Sequence, residues 1–126
     1  MSTAIARAAT GMAHSLQRLA GVEGVYARGD DESEPIVGVP IQHEYEVIDD
    51  ETGLPTRVIS YDWTFITAEL LIADELITPR KGDRWKPTIE GTEEIFEVLP
   101  IGKRPCFERA DSSGVLLVVH TKKVGA

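Results

Sequence analysis

Residues 36–48 and 57–66 alternate apolar with polar side chains at a period of two, and this alternation constrains the fold more than any other feature of the sequence. In the first stretch Val37, Val39, Ile41, His43, Tyr45 and Val47 share one face, and Gly38, Pro40, Gln42, Glu44 and Glu46 share the other. In the second, Ile59, Tyr61, Trp63 and Phe65 alternate with Ser60, Asp62 and Thr64. A period of two is that of a β-strand with one face buried, so both stretches are expected as strands with their apolar faces on the core. Between them lies "DDETGLPT", Asp49 to Thr56, expected as the acidic loop at the tip of a long hairpin. Pro40 cannot donate to a ladder, which puts at least part of its strand at a sheet edge.

Other segments repeat the pattern at shorter length. Val22–Arg28 is a candidate first strand, and Trp85, Pro87 and Ile89 alternate with Arg84, Lys86 and Thr88 as an edge strand. Pro79 and Gly82 make a tight turn into that strand, and Glu90-Gly91-Thr92 turns out of it toward Ile95–Leu99. Thr67–Asp74 is expected as a short helical turn. Val115–Val119 is five apolar residues in a row, which predicts a strand covered on both faces. Residues 3–20 have helical periodicity instead, with Ile5, Met12, Leu16 and Leu19 on one stripe, Gly11 weakening it and Gly21 placed to end it. The expected fold is mainly β: a small barrel or sandwich of about six to seven strands, with an N-terminal helix and a long acidic hairpin loop. With 126 residues the chain suits a single domain, the helix in 1–20 and the β-domain in 21–126.

The net charge of −8 argues against binding nucleic acid by bulk electrostatics. The charge is unevenly placed. Residues 1–20 hold Arg7 and Arg18 and no acid, residues 28–53 hold nine acids against Arg28 alone, and the last 26 residues turn basic. No apolar run is long enough to span a membrane, and the first residues lack the apolar core of a secretory signal. The single cysteine, Cys106, excludes an intrachain disulfide and is expected as a buried or half-buried structural thiol.

The search for chemistry returns little. "PRKGDRW" at 79–85 sets Lys81 before Gly82 and has neither the second glycine nor the hydroxyl of a phosphate-binding loop. Asp49, Asp50 and Glu51 lack the one-three-five spacing and the closing Glu of a calcium loop. His14, His43 and His120 show no paired metal-ligand spacing, and His43, among core positions, is expected as a satisfied interior histidine. "RGD" at 28–30 continues into "DESEP" and is expected as a turn. No serine stands in a nucleophile elbow. These absences predict no enzymatic turnover, no cofactor and no bound metal, and favour a binding or assembly protein.

The order of the features resembles a known group. A terminal helix precedes a strand and an acidic loop, then come "RVISYDWTFITAELL" at 57–71, "PRKGDRW" at 79–85, "EIFEVLP" at 94–100 and "FERADSSGVLLVVHTKKVG" at 107–125. This is similar to the head-tail joining (head-completion or stopper) proteins of long-tailed bacteriophages, the group that includes the phage lambda tail attachment protein. The resemblance covers nearly the whole chain from about Leu16. It implies a β-domain that assembles as a homo-oligomeric ring, expected to be a hexamer, in the virion neck after assembly in the host cytoplasm. Its expected partners are the portal-bound adaptor and the tail-terminator protein, with packaged DNA passing through without sequence-specific binding. The family offers no catalytic residues, so none are carried over. The candidate channel or docking loop is Asp49, Asp50 and Glu51, and the candidate assembly helix is marked by Arg7 and Arg18. A tail-terminator-type ring protein and a monomeric SH3-like adaptor remain as alternative readings.

Overall fold

The structure, a computed structural model, describes Gln17, Ala20 and residues 21–125, with the His43 side chain left aside. The helix expected over 3–20 therefore lies outside the described residues, apart from Gln17 and Ala20. The Gly21 N–H donates to the Gln17 carbonyl four residues back at 2.9 Å.

The described chain is mainly β. β1 (Val22–Arg28) turns at Gly29 into β2 (Asp31–Glu32), so the "RGD" tripeptide is indeed a hairpin turn. β3 (Ile36–Ile48) and β4 (Pro55–Ile66) form the long hairpin. A 3-10 turn at Thr67–Glu69 leads to the two-residue strands β5 (Leu71–Ile72) and β6 (Glu75–Leu76), where a single helical turn had been expected over 67–74. Then follow β7 (Arg84–Ile89), β8 (Thr92–Glu93), β9 (Ile95–Val98), β10 (Phe107–Arg109) and β11 (Leu116–Gly125). Glu90 and Gly91 both have positive φ, 52° and 80°, which closes the tight β7–β8 hairpin.

Nine of these strands form one large antiparallel sheet in the order β2-β1-β3-β4-β11-β9-β7-β8, with β10 on β11 and a further pairing of β1 with β7. The barrel-or-sandwich expectation resolves to this one sheet. Among the described residues six strands have four residues or more, and the five others have two or three, too few to carry a periodic signal. β7 is not an edge strand as expected: Arg84 and Trp85 pair with both β1 and β9. Pro87 is tolerated because it stands opposite Gly24 of β1, beyond the end of the β9 pairing.

The core is a cluster of aromatic rings in edge contact. Phe65 and Trp85 lie 4.8 Å apart between centroids, Trp63 and Phe96 5.2 Å, and Trp63 and Trp85 5.6 Å. Val98, Leu117, Val119 and Leu70 close around them.

Two facing assignments need correction. In the β3–β4 register Pro40 stands opposite Trp63 and Ile41 opposite Asp62. Directly paired residues lie on the same side of a sheet. The apolar faces read for the two strands therefore point to opposite sides. Ile36 and Gly38 of β3 face the ring cluster, because a Cβ at Gly38 would meet Phe65 at 2.9 Å, Trp85 at 3.1 Å and Trp63 at 3.2 Å, while on the face read as apolar Val39 is buried as expected, Tyr45 and Val47 are half-buried and Ile41 is exposed. Bulky rings from β4 and β7 fill the space that β3 leaves empty. On β4, Trp63 and Phe65 are buried as expected, but Ile59 and Tyr61 are exposed, while Ser60 and Asp62 are buried on the other face. On β11, expected to be covered on both faces, Leu117, Val119, His120 and Thr121 are buried, and Leu116 and Val118 are half-buried.

Candidate functional site

β11 pairs with β4 only from Leu116↔Ile66 to Thr121↔Tyr61, and β1 pairs with β3 only from Gly24↔Ile36 to Val22↔Gly38. Beyond those points β3 and β4 continue together, in register to Ile48↔Pro55. The result is a two-stranded arm about 20 Å long at the usual strand rise. It leaves the sheet where partner strands run out, which is why Ile59 keeps the core-facing parity but loses its cover, while Tyr61, the last residue of β4 paired with β11, keeps the Phe96 ring at 5.9 Å and is only partly exposed. Of the nine exposed large apolar side chains among the described residues, Ile48, Leu54, Val58 and Ile59 lie on this arm and its tip, and Ile41 and Tyr61 lie at its root, where β4 is still paired with β11. One face of the ribbon packs against residues 101–104, where a Cβ at Gly102 would meet Val47 at 2.8 Å and Arg104 lies over the Tyr45 ring, and the apolar surface left exposed is suited to contact.

The tip brings Asp49, Asp50 and Glu51 together, as the sequence indicated, but it is more ordered than an acid-repelled loop. Asp49 Oδ1 accepts the N–H groups of Glu51 at 2.8 Å and Thr52 at 3.2 Å. The Asp49 N–H donates to the Leu54 carbonyl at 2.9 Å, and Gly53, at φ 69°, donates to the Asp49 carbonyl at 2.8 Å. One of the three acids thus builds the turn, and Asp50 and Glu51 stand exposed beside it. Pro55 and Thr56, expected in the loop, belong to β4. Arg7 and Arg18 lie outside the described residues.

A buried polar cluster anchors the root of the arm. Asp62 Oδ2 accepts the Tyr45 hydroxyl at 2.6 Å, and Asp62 Oδ1 accepts the Ser60 hydroxyl at 2.6 Å and faces His120 Nδ1 at 2.9 Å. Burial pushes the Asp62 carboxyl up, but the hydrogen bonds from His120, Ser60 and Tyr45 together outweigh it and hold it below the usual range. Burial, then the bond to Asp62, pushes the Tyr45 phenol up. Arg104 covers the Tyr45 ring at 5.1 Å and reaches Glu108 at 3.5 Å. Ser60 donates to Asp62 and not to His120, so the cluster is not a nucleophile–base relay. It ties β3, β4 and β11 together where the arm begins. Sequence reading had placed Asp62 on the solvent face and singled out His43, whose side chain is not described. The available signal was His120 itself, a lone titratable group inside the apolar run "LLVVHT".

The "PRKGD" turn is structural too. Asp83, 4% exposed, accepts the Arg80 N–H at 2.9 Å and the Tyr26 hydroxyl at 2.6 Å, and it pairs with Arg28 at 2.8 Å. Cys106 is half-buried, its thiol facing the Pro79 carbonyl at 3.4 Å, and burial pushes its pKa up. No group of three or more His, Cys, Asp or Glu side chains among the described residues is placed to hold a metal. No helix among them is long and apolar enough to cross a membrane.

A family model described as phage head-tail joining protein matches residues 3–126. The chain belongs to the phage head-tail joining protein family. No curated protein and no solved structure matches it. Membership gives the joining protein a structural role in phage head–tail assembly and fits a fold whose conspicuous surface is an arm rather than a catalytic cleft. Every polar cluster described above then has the same character: Asp49, Asp62 and Asp83 hold turns and strands in place.

Proposed function

We propose that this joining protein completes the DNA-filled head and connects it to the tail as a ring of copies, six in number, around the DNA channel. Its neighbours in the neck are the portal-bound adaptor above and the tail-terminator protein below. The observation that carries this reading is the β3–β4 arm. It concentrates exposed apolar side chains on a projecting ribbon, and it ends in unpaired acids, in a chain of the joining family. Subunits that close a ring need contact surface that meets a different patch on the next copy, head to tail, and copies arranged by rotation repeat every tip around the bore.

The acidic tip belongs on the channel side in this reading. Duplex DNA carries a phosphate charge about every 1.7 Å, so a lining of Asp50 and Glu51 repels the genome and lets it slide without adhesion. A gate that blocks DNA sterically and then releases it needs that behaviour. The basic terminal segment marked by Arg7 and Arg18 acts in assembly, opposite in charge to the body it serves.

The experiment is complementation. Infection without this protein is expected to accumulate filled heads and free tails, and supplying the chain in trans restores joined particles. Normal joined particles in its absence would remove the proposal. A stable monomer that binds a peptide and leaves particle assembly untouched would favour a free-standing adaptor.

A further inference from the structure

A groove of about 630 Å³ opens between the β2–β3 connection and the β5 region. Its floor is apolar, with Ile36, Val37, Leu71 and Ile72. Among the described residues its rim holds five acids, Asp31, Glu32, Glu34, Glu69 and Asp74, and no lysine or arginine. Glu32 is within 3.7 Å of Lys86, and Glu69 accepts the Gln17 amide at 2.9 Å. Among the described residues Asp31, Glu34 and Asp74 have no ion-pair partner. An apolar floor inside an uncompensated acidic rim fits a basic amphipathic segment.

The chain supplies one. Sixteen residues precede Gln17; together with Arg18 they carry two arginines, no acid, and the apolar side chains of Ile5, Met12 and Leu16. They leave the described structure at the groove itself, because Gln17 lines it and also reaches the Val37 carbonyl at 3.4 Å. Gly21 passes so close to Val37 that a Cβ there would collide with its side chain. The chain is therefore pinned against the groove wall at the point where residues 1–16 begin.

We propose that this acidic groove is the seat of the chain's own basic N-terminal segment, residues 1–16. Apolar side chains of the segment cover Ile36, Val37, Leu71 and Ile72, and its single arginine, Arg7, meets the acidic rim of Asp31, Glu34 and Asp74. A groove of this volume admits a few side chains rather than a whole helix. The seat exists in the isolated subunit and stands apart from the ring reading, which is measured in particles.

The test uses the full chain with a photoreactive benzophenone side chain in place of Ala8, irradiated as a mixture of isotope-labelled and unlabelled protein. Crosslinks within one chain to residues 31–37 or 68–74 are expected. Crosslinks that fall on the arm at 41–61, that form only between chains, or that stay at background in the groove overturn the proposal. The variant combining Asp31→Lys with Glu34→Lys changes two exposed side chains and is expected to keep the melting temperature while lowering groove crosslinking several-fold. Unchanged crosslinking would show that charge does not seat the segment and would likewise overturn it.

Discussion

Arg28 and Asp83, 55 residues apart, are joined by two hydrogen bonds: Nε to Oδ1 at 3.0 Å and Nη2 to Oδ2 at 2.8 Å. The pair links the turn after β1 to the turn before β7, and so fixes the two strands whose pairing brings the ends of the sheet together. Two tripeptides that look like separate motifs, "RGD" and "KGD", are thus the two halves of one structural contact.

Removing Asp83 should be costly. Asp83→Ala leaves the Tyr26 hydroxyl and the Arg80 N–H without that acceptor and the Arg28 guanidinium with the Thr78 carbonyl alone. Breaking a largely buried pair from one side costs about 3 kcal/mol, the low end of the usual range because Arg28 is partly exposed. Chemical denaturation of the variant checks this.

The pH dependence follows from the same group and from Asp62. Burial pushes both carboxyls up, but their hydrogen bonds prevail, from Arg28, Tyr26 and Arg80 for Asp83 and from His120, Ser60 and Tyr45 for Asp62. Both folded-state pKa values are lowered, so their contribution is fully present above the unfolded carboxyl value of about 3.9 and is lost as pH falls through the folded values. Stability should decline below about pH 5. The decline should be shallower in Asp62→Asn, which no longer titrates there. An identical acid limb in that variant would contradict the assignment.

β4 separates into a buried and an unburied half. Trp63→Ala should cost about 3–5 kcal/mol, while Ile59→Ala and Tyr61→Ala, both exposed, should each cost less than about 1 kcal/mol in the isolated subunit. The latter two are expected to impair particle assembly instead. Melting curves and particle yields together decide.

Gly38 is as informative. Its hydrogen lies against Phe65, Trp85 and Trp63, so Gly38→Ala should destabilise by about 1–3 kcal/mol through overpacking. A neutral result would mean that the rings shift without cost.

These residues also mark what was legible in the sequence. Strand positions were readable because period two survives in every long strand, and the tight turns were readable from glycine and proline. Which face of β3 is inside was not, since the core takes its volume from rings on β4 and β7 and leaves only Gly38 across from them. The arm was visible as a hairpin, but its lack of cover depends on where β1 and β11 stop pairing, a long-range property. The acidic tip was found from composition alone. The Asp62–His120 anchor was not read: His120 stands out within its apolar run, but nothing in the run points to a partner 58 residues away.

At the tip, Asp49→Asn with Asp50→Asn and Glu51→Gln separates two locations. A channel-side tip predicts joined particles with altered DNA retention or ejection. An outer tip that meets a basic tail surface predicts filled heads that fail to join tails. Full infectivity would leave the tip as a solvated turn.

The most direct measurement is a cryo-electron microscopy reconstruction of the neck in complete particles, at a resolution that traces β3 and β4. The account predicts a ring of six copies between head and tail, with residues 41–61 of each copy against its neighbour and residues 49–54 toward the DNA. Absence of the chain from the neck, or arms that contact no neighbouring copy, would contradict it.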